Sequence, residues 1–184
     1  MEFSFDNYSM APIQSKDAWR LCNFVVANED YLKDDFPETL KENSTPAMAD
    51  LFVVKKEKQF SEHEEYLFTI KENTNRTIIG LVYVKELKKR LVQAELCYCL
   101  GYQYQGKGLM TQCVQTIMGW AFNQKKLNRL QIIVHESNAA SIRIAEKCGF
   151  EFITVLQKEH RRSNGDVVDM LLYELKKSTF IKSP

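Results

Sequence analysis

The chain has little glycine, little proline and no excess of charge, and each shortage excludes a class of protein. Seven glycines and four prolines among 184 residues are too few for a linker or a low-complexity segment. The 25 basic and 24 acidic residues leave a formal net charge of +1, so no overall field favours nucleic acid or an anionic membrane as a partner. No stretch approaches the roughly 18 consecutive apolar residues of a membrane helix. Since the acidic N-terminus lacks the apolar run of a signal peptide, we expect a cytoplasmic protein that binds neither nucleic acid nor membranes.

Cysteine is also scarce and has no metal-binding spacing. The five cysteines lie at positions 22, 97, 99, 113 and 148, an odd number without a C-x-x-C pair. Because most of them lie in apolar segments, reduced core thiols are favoured over a disulfide framework or a zinc site, and we expect no metal. The length and an apolar content of 45% suit one domain, which we place at residues 1–184.

The first half of the chain predicts helices followed by a meander of strands. Residues 2–13 predict one short strand, and 17–31 a helix with Trp19, Cys22 and Val26 on its inner face and Leu21 and Val25 as further candidates for that face. Residues 28–42 predict a loop or a broken helix, and Pro46 marks the first turn of the next helix. Alternation at 66–71, 78–87 and 91–100 predicts three antiparallel strands, with a basic cluster at 85–90 around a hairpin turn.

The second half predicts a strand, a glycine turn and a strongly amphipathic helix, all within residues 94–121. A core-facing stripe marks that helix and consists of Met110, Cys113, Val114, Ile117, Met118 and Ala121. A strand at 129–135 and a short helix from Asn138 to Gly149 follow. The chain closes with a hairpin of residues 152–162 and 167–175 around Asn164-Gly165. Together the segments predict an α/β (α+β) fold with a mostly antiparallel sheet.

The glycine turn, Gln103 to Gly108, is a candidate phosphate site because free N–H groups at a helix start attract phosphate oxygens. A P-loop needs Ser or Thr after the lysine, where this chain has Gly108. A dinucleotide fingerprint needs a third glycine, where it has Thr111. A third interpretation depends on a resemblance to a known family.

Three motifs in order support that interpretation. Gln103-x-x-Gly106-x-Gly108 resembles the Q/R-x-x-G-x-G/A signature of the GCN5-related N-acetyltransferases (GNAT). The strand at 94–98 resembles that family's fourth strand, and the segments at 138–141 and 146–150 resemble its N-x-x-S and E-K-x-G-F motifs. The closing hairpin is similar to that of the ribosomal-protein N-terminal acetyltransferase (RimJ/RimL) branch, and the resemblance spans about residues 78–175.

The resemblance implies a fold and a cofactor. The expected sheet is splayed between its fourth and fifth strands and flanked by about four helices, and the chain would be a monomer or a homodimer. Acetyl-CoA is the expected cofactor. The residues expected to hold it are Leu100, Gln103, Gln105, Gly106, Lys107, Gly108, Leu109, Met110, Asn138 and Ser141. Asn138 has two open interpretations, a ligand of the pantetheine arm or a helix cap.

The chemistry implied is direct acetyl transfer to a primary amine, which must lose a proton before it attacks. Glu95 is the candidate base, although it could instead form a surface ion pair. Many relatives carry a tyrosine that protonates the leaving thiolate, but the matching position here is Ala145. Ser141 is the substitute that the RimJ/RimL branch suggests. Cys99 as an acyl carrier and His135 as an alternative base are weaker hypotheses.

The acceptor is the least defined part of the prediction. By resemblance the leading acceptor is the α-amine of a protein such as a ribosomal protein. A small amine (polyamine, amino acid or aminoglycoside) and a non-catalytic acyl-CoA-binding module are the alternatives. The expected walls of the acceptor site are residues 28–46 and 157–169. The first wall contains an acidic run and the second contains His160-Arg161-Arg162, so their charges favour different acceptors.

Overall fold

The computed structural model describes residues 1–88 and 92–180, with the side chains of 86–88 excepted. Residues 89 and 90 of the basic cluster predicted around a hairpin turn at 85–90 lie outside these residues, and so does the predicted start of the third meander strand at 91. The strands are β1 (Phe3–Phe5), β2 (Tyr8–Pro12), β3 (Tyr66–Glu72), β4 (Ile78–Lys88), β5 (Gln93–Leu100), β6 (Arg129–Val134), β7 (Glu151–Arg161) and β8 (Val167–Lys176). The helices are α1 (Ala18–Ala27), α2 (Glu29–Leu32), α3 (Pro37–Glu42), α4 (Pro46–Ser61), α5 (Leu109–Asn123), α6 (Ala139–Lys147) and α7 (Lys177–Phe180).

One eight-stranded sheet in the order β1-β2-β3-β4-β5-β6-β8-β7 organises the molecule. All neighbouring pairs are antiparallel except β5 and β6, which run parallel. Helices α1 and α4 cover one face through a core that includes Leu21, Phe52 and Leu81. Helix α5 covers the other face with its predicted stripe, every member of which is buried. No helix of the described residues is both long and apolar enough to span a bilayer.

The parallel pair β5–β6 separates after three residues, as predicted. Residues Gln93 to Glu95 pair with Arg129 to Gln131. Beyond that point, among the residues that the structure describes, β5 pairs only with β4 and β6 only with β8. The two facing strand edges therefore diverge, and their backbone groups are left available to something placed between them.

Three features of the fold differ from the prediction. Residues 2–13 form two strands joined at Asp6, whose φ of 42° closes a tight hairpin. The splayed strands are consequently the fifth and sixth instead of the fourth and fifth. Seven α-helices occur in the described residues where about four were predicted, because the segment at 28–42 forms the short helices α2 and α3 and the C-terminus adds α7.

The third difference is the inner face of α1. The predicted face included Trp19 and Val26, which are 55% and 50% exposed. The other predicted members, Cys22, Leu21 and Val25, do pack inward, and Phe24 joins them. The helix ends at Ala27, and the side chain of Asn28 donates to the Phe24 carbonyl at 2.8 Å.

Candidate active site

The glycine turn connects β5 to α5 through backbone that favours glycine. A 3-10 turn at Tyr102–Tyr104 follows the strand, and Gly106 and Gly108 then adopt φ values of 74° and 79°. A Cβ at either position would meet no atom within 4 Å, so their backbone conformation is what calls for glycine. The N–H of Gln112 donates to Gly108 O at 3.2 Å, so the N–H groups before it in α5 have no intrahelical acceptor.

Side chains fix both ends of this turn. Gln105 Nε2 donates to the Leu100 carbonyl at 3.1 Å, at the end of β5. The Tyr104 hydroxyl donates to Glu72 at 3.0 Å and so ties the turn to β3. Gln105 also hydrogen-bonds the Tyr31 hydroxyl, whose pKa is raised by burial. These contacts attach the turn to β3, to the end of β5 and to α2.

A cavity of about 800 Å³, here called the turn cavity, opens beside the turn. Its wall includes Leu100, Gln103, Gln105, Gly106, Gly108, Leu109, Met110 and Ser141 from the predicted cofactor set. Lys107 is exposed between the two glycines. Arg143 and Lys147 add two cations that the sequence analysis missed. Their spacing of four residues in α6 is the signal that places them on one helix face.

A second cavity of about 250 Å³, here called the gap cavity, lies where β5 and β6 diverge. Consecutive residues of β5, from Glu95 to Tyr98, face β6 residues 132–134 and His135 across it. Asn138, Ser141 and Met170 also line it. Phe36, Asp35, Glu159 and His160 complete the far wall and come from the two segments predicted to hold the acceptor. Sequence reasoning missed Glu159.

Glu95 is buried in the wall of the gap cavity and is only 7% exposed. Its Oε1 lies 3.4 Å from Lys85 Nζ and accepts from Cys97 Sγ at 2.8 Å. Burial, reinforced by the Glu95 charge, raises the pKa of the Cys97 thiol well above its usual value. Burial also raises the pKa of Cys99 to about 12. Both thiols are thus held protonated, which makes them poor nucleophiles.

Asn138 and Ser141 form the first turn of α6. Asn138 Oδ1 accepts from the Ser141 N–H at 3.0 Å, which is the helix-cap arrangement that the sequence left open. Asn138 Nδ2 donates to Asp35 Oδ2 at 3.3 Å. Since the side chain of Asn138 is engaged at both ends, its cap role is the one the structure displays.

Tyr98 is the residue that sequence reasoning missed at the centre of the site. It lines both cavities, and its hydroxyl donates to the Ser141 carbonyl at 3.3 Å. Burial raises the pKa of this phenol. The period-two alternation of β5 placed Tyr98 on the face opposite Glu95, which made it look like an ordinary core residue.

The acceptor-side wall is held together by contacts between distant segments. His160 Nε2 donates to the Asp34 carbonyl at 2.6 Å, and Ser163 Oγ donates to Asp34 Oδ1 at 2.6 Å. The α2–α3 connector is thereby attached to the β7–β8 hairpin. The acidic run does not act as one patch, because Asp30 pairs with Lys33 in solvent while Asp35 lines the gap cavity.

Two further sequence hypotheses concern His135 and metal binding. His135 Nδ1 lies 2.7 Å from Ser137 Oγ, at the gap-cavity wall, so its side chain is held at the strand end. The described residues contain no group of three or more His, Cys, Asp or Glu side chains placed to hold a metal ion. All five cysteines are free thiols, four of them buried.

Comparison with known proteins identifies the family. The model of the acetyltransferase (GNAT) domain matches residues 9–151. A probable N-acetyltransferase, YjcK, of Bacillus subtilis is 33% identical over 95 residues, which cover 51% of this chain and 52% of the relative. A spermidine N(1)-acetyltransferase of Escherichia coli is 35% identical over 71 residues, covering 39% of this chain and 38% of that protein.

A solved structure extends the likeness to the whole fold. Ribosomal-protein-S5-alanine acetyltransferase from Vibrio fischeri superimposes with a TM-score of 0.91 over 100% of both chains, at 22% identity. The matched segment spans about half the length of the first curated relative. The motifs, the splayed sheet and the family match agree, and the chain belongs to the GNAT acetyltransferase family.

Proposed function

We propose that the protein is an acetyl-CoA-dependent N-acetyltransferase that moves the acetyl group directly from the thioester to a primary amine. The observation that carries the proposal is the junction of the two cavities. Tyr98 and Ser141 are the residues that both described cavity walls share. A donor seated in the turn cavity and an amine seated in the gap cavity would meet at this junction.

The turn cavity suits a coenzyme A molecule. The free amides after Gly108 and the positive end of α5 favour a pyrophosphate there. Glycine at 106 and 108 leaves no Cβ between phosphate and backbone. Arg143 and Lys147 add positive charge to the same cavity. The unpaired edge of β5 after Glu95 offers backbone hydrogen bonds to the amides of a pantetheine arm.

The gap cavity supplies the groups for proton transfer. Acetyl-CoA supplies a thioester carbonyl carbon that an uncharged amine can attack. A primary amine with a pKa near 8 to 10 is mostly protonated at neutral pH. Glu95 accepts its proton, directly or through water, since it is the buried carboxylate in the cavity wall. Ser141 orients the departing sulfur by a hydrogen bond at the junction.

The leading acceptor is the α-amine of a protein, such as a ribosomal protein. Its lower pKa, about 8, makes the neutral form easier to reach than it is for an alkylamine. A polyamine is the second candidate, and it is favoured by the carboxylates of Asp35 and Glu159 in the gap-cavity wall. A second, positively charged amine on the acceptor would be attracted by both carboxylates.

An acceptor screen tests the function. The purified chain is mixed with acetyl-CoA and peptides of ribosomal-protein N-termini, polyamines or aminoglycosides, and free CoA is measured with a thiol reagent. We expect CoA release with one amine class and acetyl-CoA binding by calorimetry. Binding without release on any amine would replace the enzyme by a non-catalytic acyl-CoA-binding module. Absence of binding would remove both interpretations.

A further inference from the structure

Tyr98 lines both cavities, whereas each of its neighbours on β5 lines at most one. Along the strand, Glu95 and Cys97 face the helices α1 and α4, whereas Leu96, Tyr98 and Leu100 belong to the core beneath α5. The gap cavity is nevertheless lined by all of Glu95 to Tyr98. It therefore passes beside the unpaired strand edge from one face of the sheet to the other.

The gap cavity therefore has a proton-accepting side chain on one face of the sheet and a proton-donating side chain on the other. Glu95 reaches the gap from the α1–α4 face, on the acceptor side with Asp35 and Phe36. The Tyr98 hydroxyl reaches it from the opposite face, at the opening into the turn cavity. A sulfur that leaves the transferred acetyl group must withdraw toward the turn cavity, since the rest of its molecule is held there.

The hydroxyl of Tyr98 is suited to meet that sulfur. Its present hydrogen bond to the Ser141 carbonyl is 3.3 Å long, well beyond the 2.7–2.8 Å that is usual for O–H···O contacts. Redirecting such a bond costs little. Because burial raises the pKa of Tyr98, the phenol keeps its proton across the working pH range. A phenol also gives up a proton more readily than the aliphatic hydroxyl of Ser141.

We propose that Tyr98 is a catalytic residue that donates its hydroxyl proton to the departing sulfur, an inference that rests on the proposed transferase function. As the carbon–sulfur bond breaks, its electron pair stays on sulfur, which takes the proton from Tyr98 Oη. Tyr98 then recovers one proton from solvent. The ammonium nitrogen loses two protons in all: Glu95 takes the first before the attack and releases it to solvent, and it takes the second as the amide forms and releases that one too. The products are a neutral amide and a neutral thiol, and one proton is released to solvent overall.

The test compares Tyr98→Phe with Ser141→Ala and with a matched control, Tyr66→Phe. Tyr66 is also a buried tyrosine, but it packs among Phe60, Phe68 and Trp120 outside both cavities. With the amine found in the acceptor screen, Tyr98→Phe should lower kcat about 100-fold or more. Its acetyl-CoA Kd should stay within about threefold, while Tyr66→Phe should keep the wild-type kcat. A kcat of Tyr98→Phe within threefold of wild type would refute the assignment.

A second measurement separates chemistry from packing. Replacing Tyr98 with 3-fluorotyrosine keeps the ring and hydroxyl but lowers the pKa of the phenol. If Tyr98 donates the proton, kcat should change with that pKa, and it should stay unchanged if Tyr98 only packs. If the wild-type chain turns over and the 3-fluorotyrosine variant has the same kcat, only the role of Tyr98 is refuted. A wild-type chain that acetylates no amine refutes the transferase function as well.

Discussion

The turn cavity and the gap cavity are adjacent, but they are built in different ways. Most of the turn cavity comes from residues 98–111, with one face of α6 added. The gap cavity takes its wall from the α2–α3 connector, β5, β6, the start of α6, β7 and β8. One site is thus formed by a local segment, and the other by contacts between segments that are far apart in the chain.

The same contrast holds for the forces involved. At the glycine turn, the phosphate site consists of backbone conformation and free amides, and two contacts with distant side chains, Tyr104 to Glu72 and Gln105 to Tyr31, hold the turn in place. In the gap cavity, contacts with Lys85 and Cys97 hold the Glu95 carboxylate in position. The hydrogen bond between Asp34 and Ser163 holds the far wall together. The comparison implies that cofactor binding tolerates changes in most distant side chains, whereas acceptor recognition does not.

The largest expected effect is on proton transfer in the gap cavity. Glu95→Gln should lower kcat about 100-fold, because the amide cannot accept the proton of the amine. Acetyl-CoA binding, which we assign to the turn cavity, should change little. Steady-state kinetics over pH 6–9 and calorimetry measure the two quantities.

Glu174→Gln is the matched control for that variant. The Glu174 and Glu95 side chains are both 9% exposed, and Glu174 pairs with Arg129 at 3.1 Å outside both cavities. It should lose some stability and keep the wild-type kcat. If Glu95→Gln kept both the rate and the pH profile of wild type, Glu95 would not be the base and His135 would be the next candidate.

The next effect isolates the turn cavity. Gly108→Ala forces an alanine to φ near 79° and places a methyl group where the pyrophosphate would lie, so the Kd for acetyl-CoA should rise about tenfold or more. Gly165→Ala imposes similar strain, at φ 91°, in the β7–β8 turn. Each should cost about 1 kcal/mol of stability, but only the first should weaken binding. Equal Kd values for the two variants would contradict the pyrophosphate assignment.

The contrast also explains what could be predicted from sequence. The glycine turn and the buried stripe of α5 depend on short-range patterns, namely glycine spacing and periodicity. They were predicted correctly because each depends on neighbours within a few residues. The splayed strands were expected from the family resemblance alone, and the sequence left the cap at Asn138 as one of two interpretations until the hydrogen bond to Ser141 was seen.

The features that the sequence analysis missed or predicted wrongly are those that tertiary contacts determine. Alternation alone could not show that Tyr98 sits at the junction, since an inward tyrosine on a strand is typical of a core. Glu159 lies on β7, and its place in the gap cavity depends on the order of the strands in the sheet. No local pattern in the sequence specifies that order. The inner face of α1 was wrong at Trp19 and Val26, and Trp19 instead stacks with Arg20, whose guanidinium lies 4.4 Å from the ring centroid.

A smaller effect should appear in acceptor recognition. Asp35→Asn removes a carboxylate from the gap-cavity wall and should raise KM for a cationic acceptor several-fold, with kcat nearly unchanged. Asp30→Asn removes an acid of the same run, but its side chain is 98% exposed and pairs with Lys33, so KM should not move. If both variants changed KM alike, the acceptor would be attracted by the general negative charge of the acidic run and not by Asp35 in the cavity wall.

The smallest effect concerns the thiols of β5, one at each cavity. Cys97 lines the gap cavity and Cys99 the turn cavity, and folding raises the pKa of both, that of Cys99 to about 12. An unfolded thiol ionises near pH 8.5, so its contribution to stability is complete below that pH. The contribution falls as pH rises toward the folded pKa, by about 1.4 kcal/mol per pH unit for each buried thiol.

Urea unfolding in reductant at pH 8, 9 and 10 measures this fall for wild type, Cys97→Ala and Cys99→Ala. Each variant removes one titrating group, so each should lose stability with pH less steeply than wild type. Should Cys99→Ala flatten the slope while Cys97→Ala leaves it unchanged, the Cys97 thiol would already ionise in the folded protein. The gap cavity would then be wetter than the turn cavity, and Glu95 would pass the amine proton to solvent water.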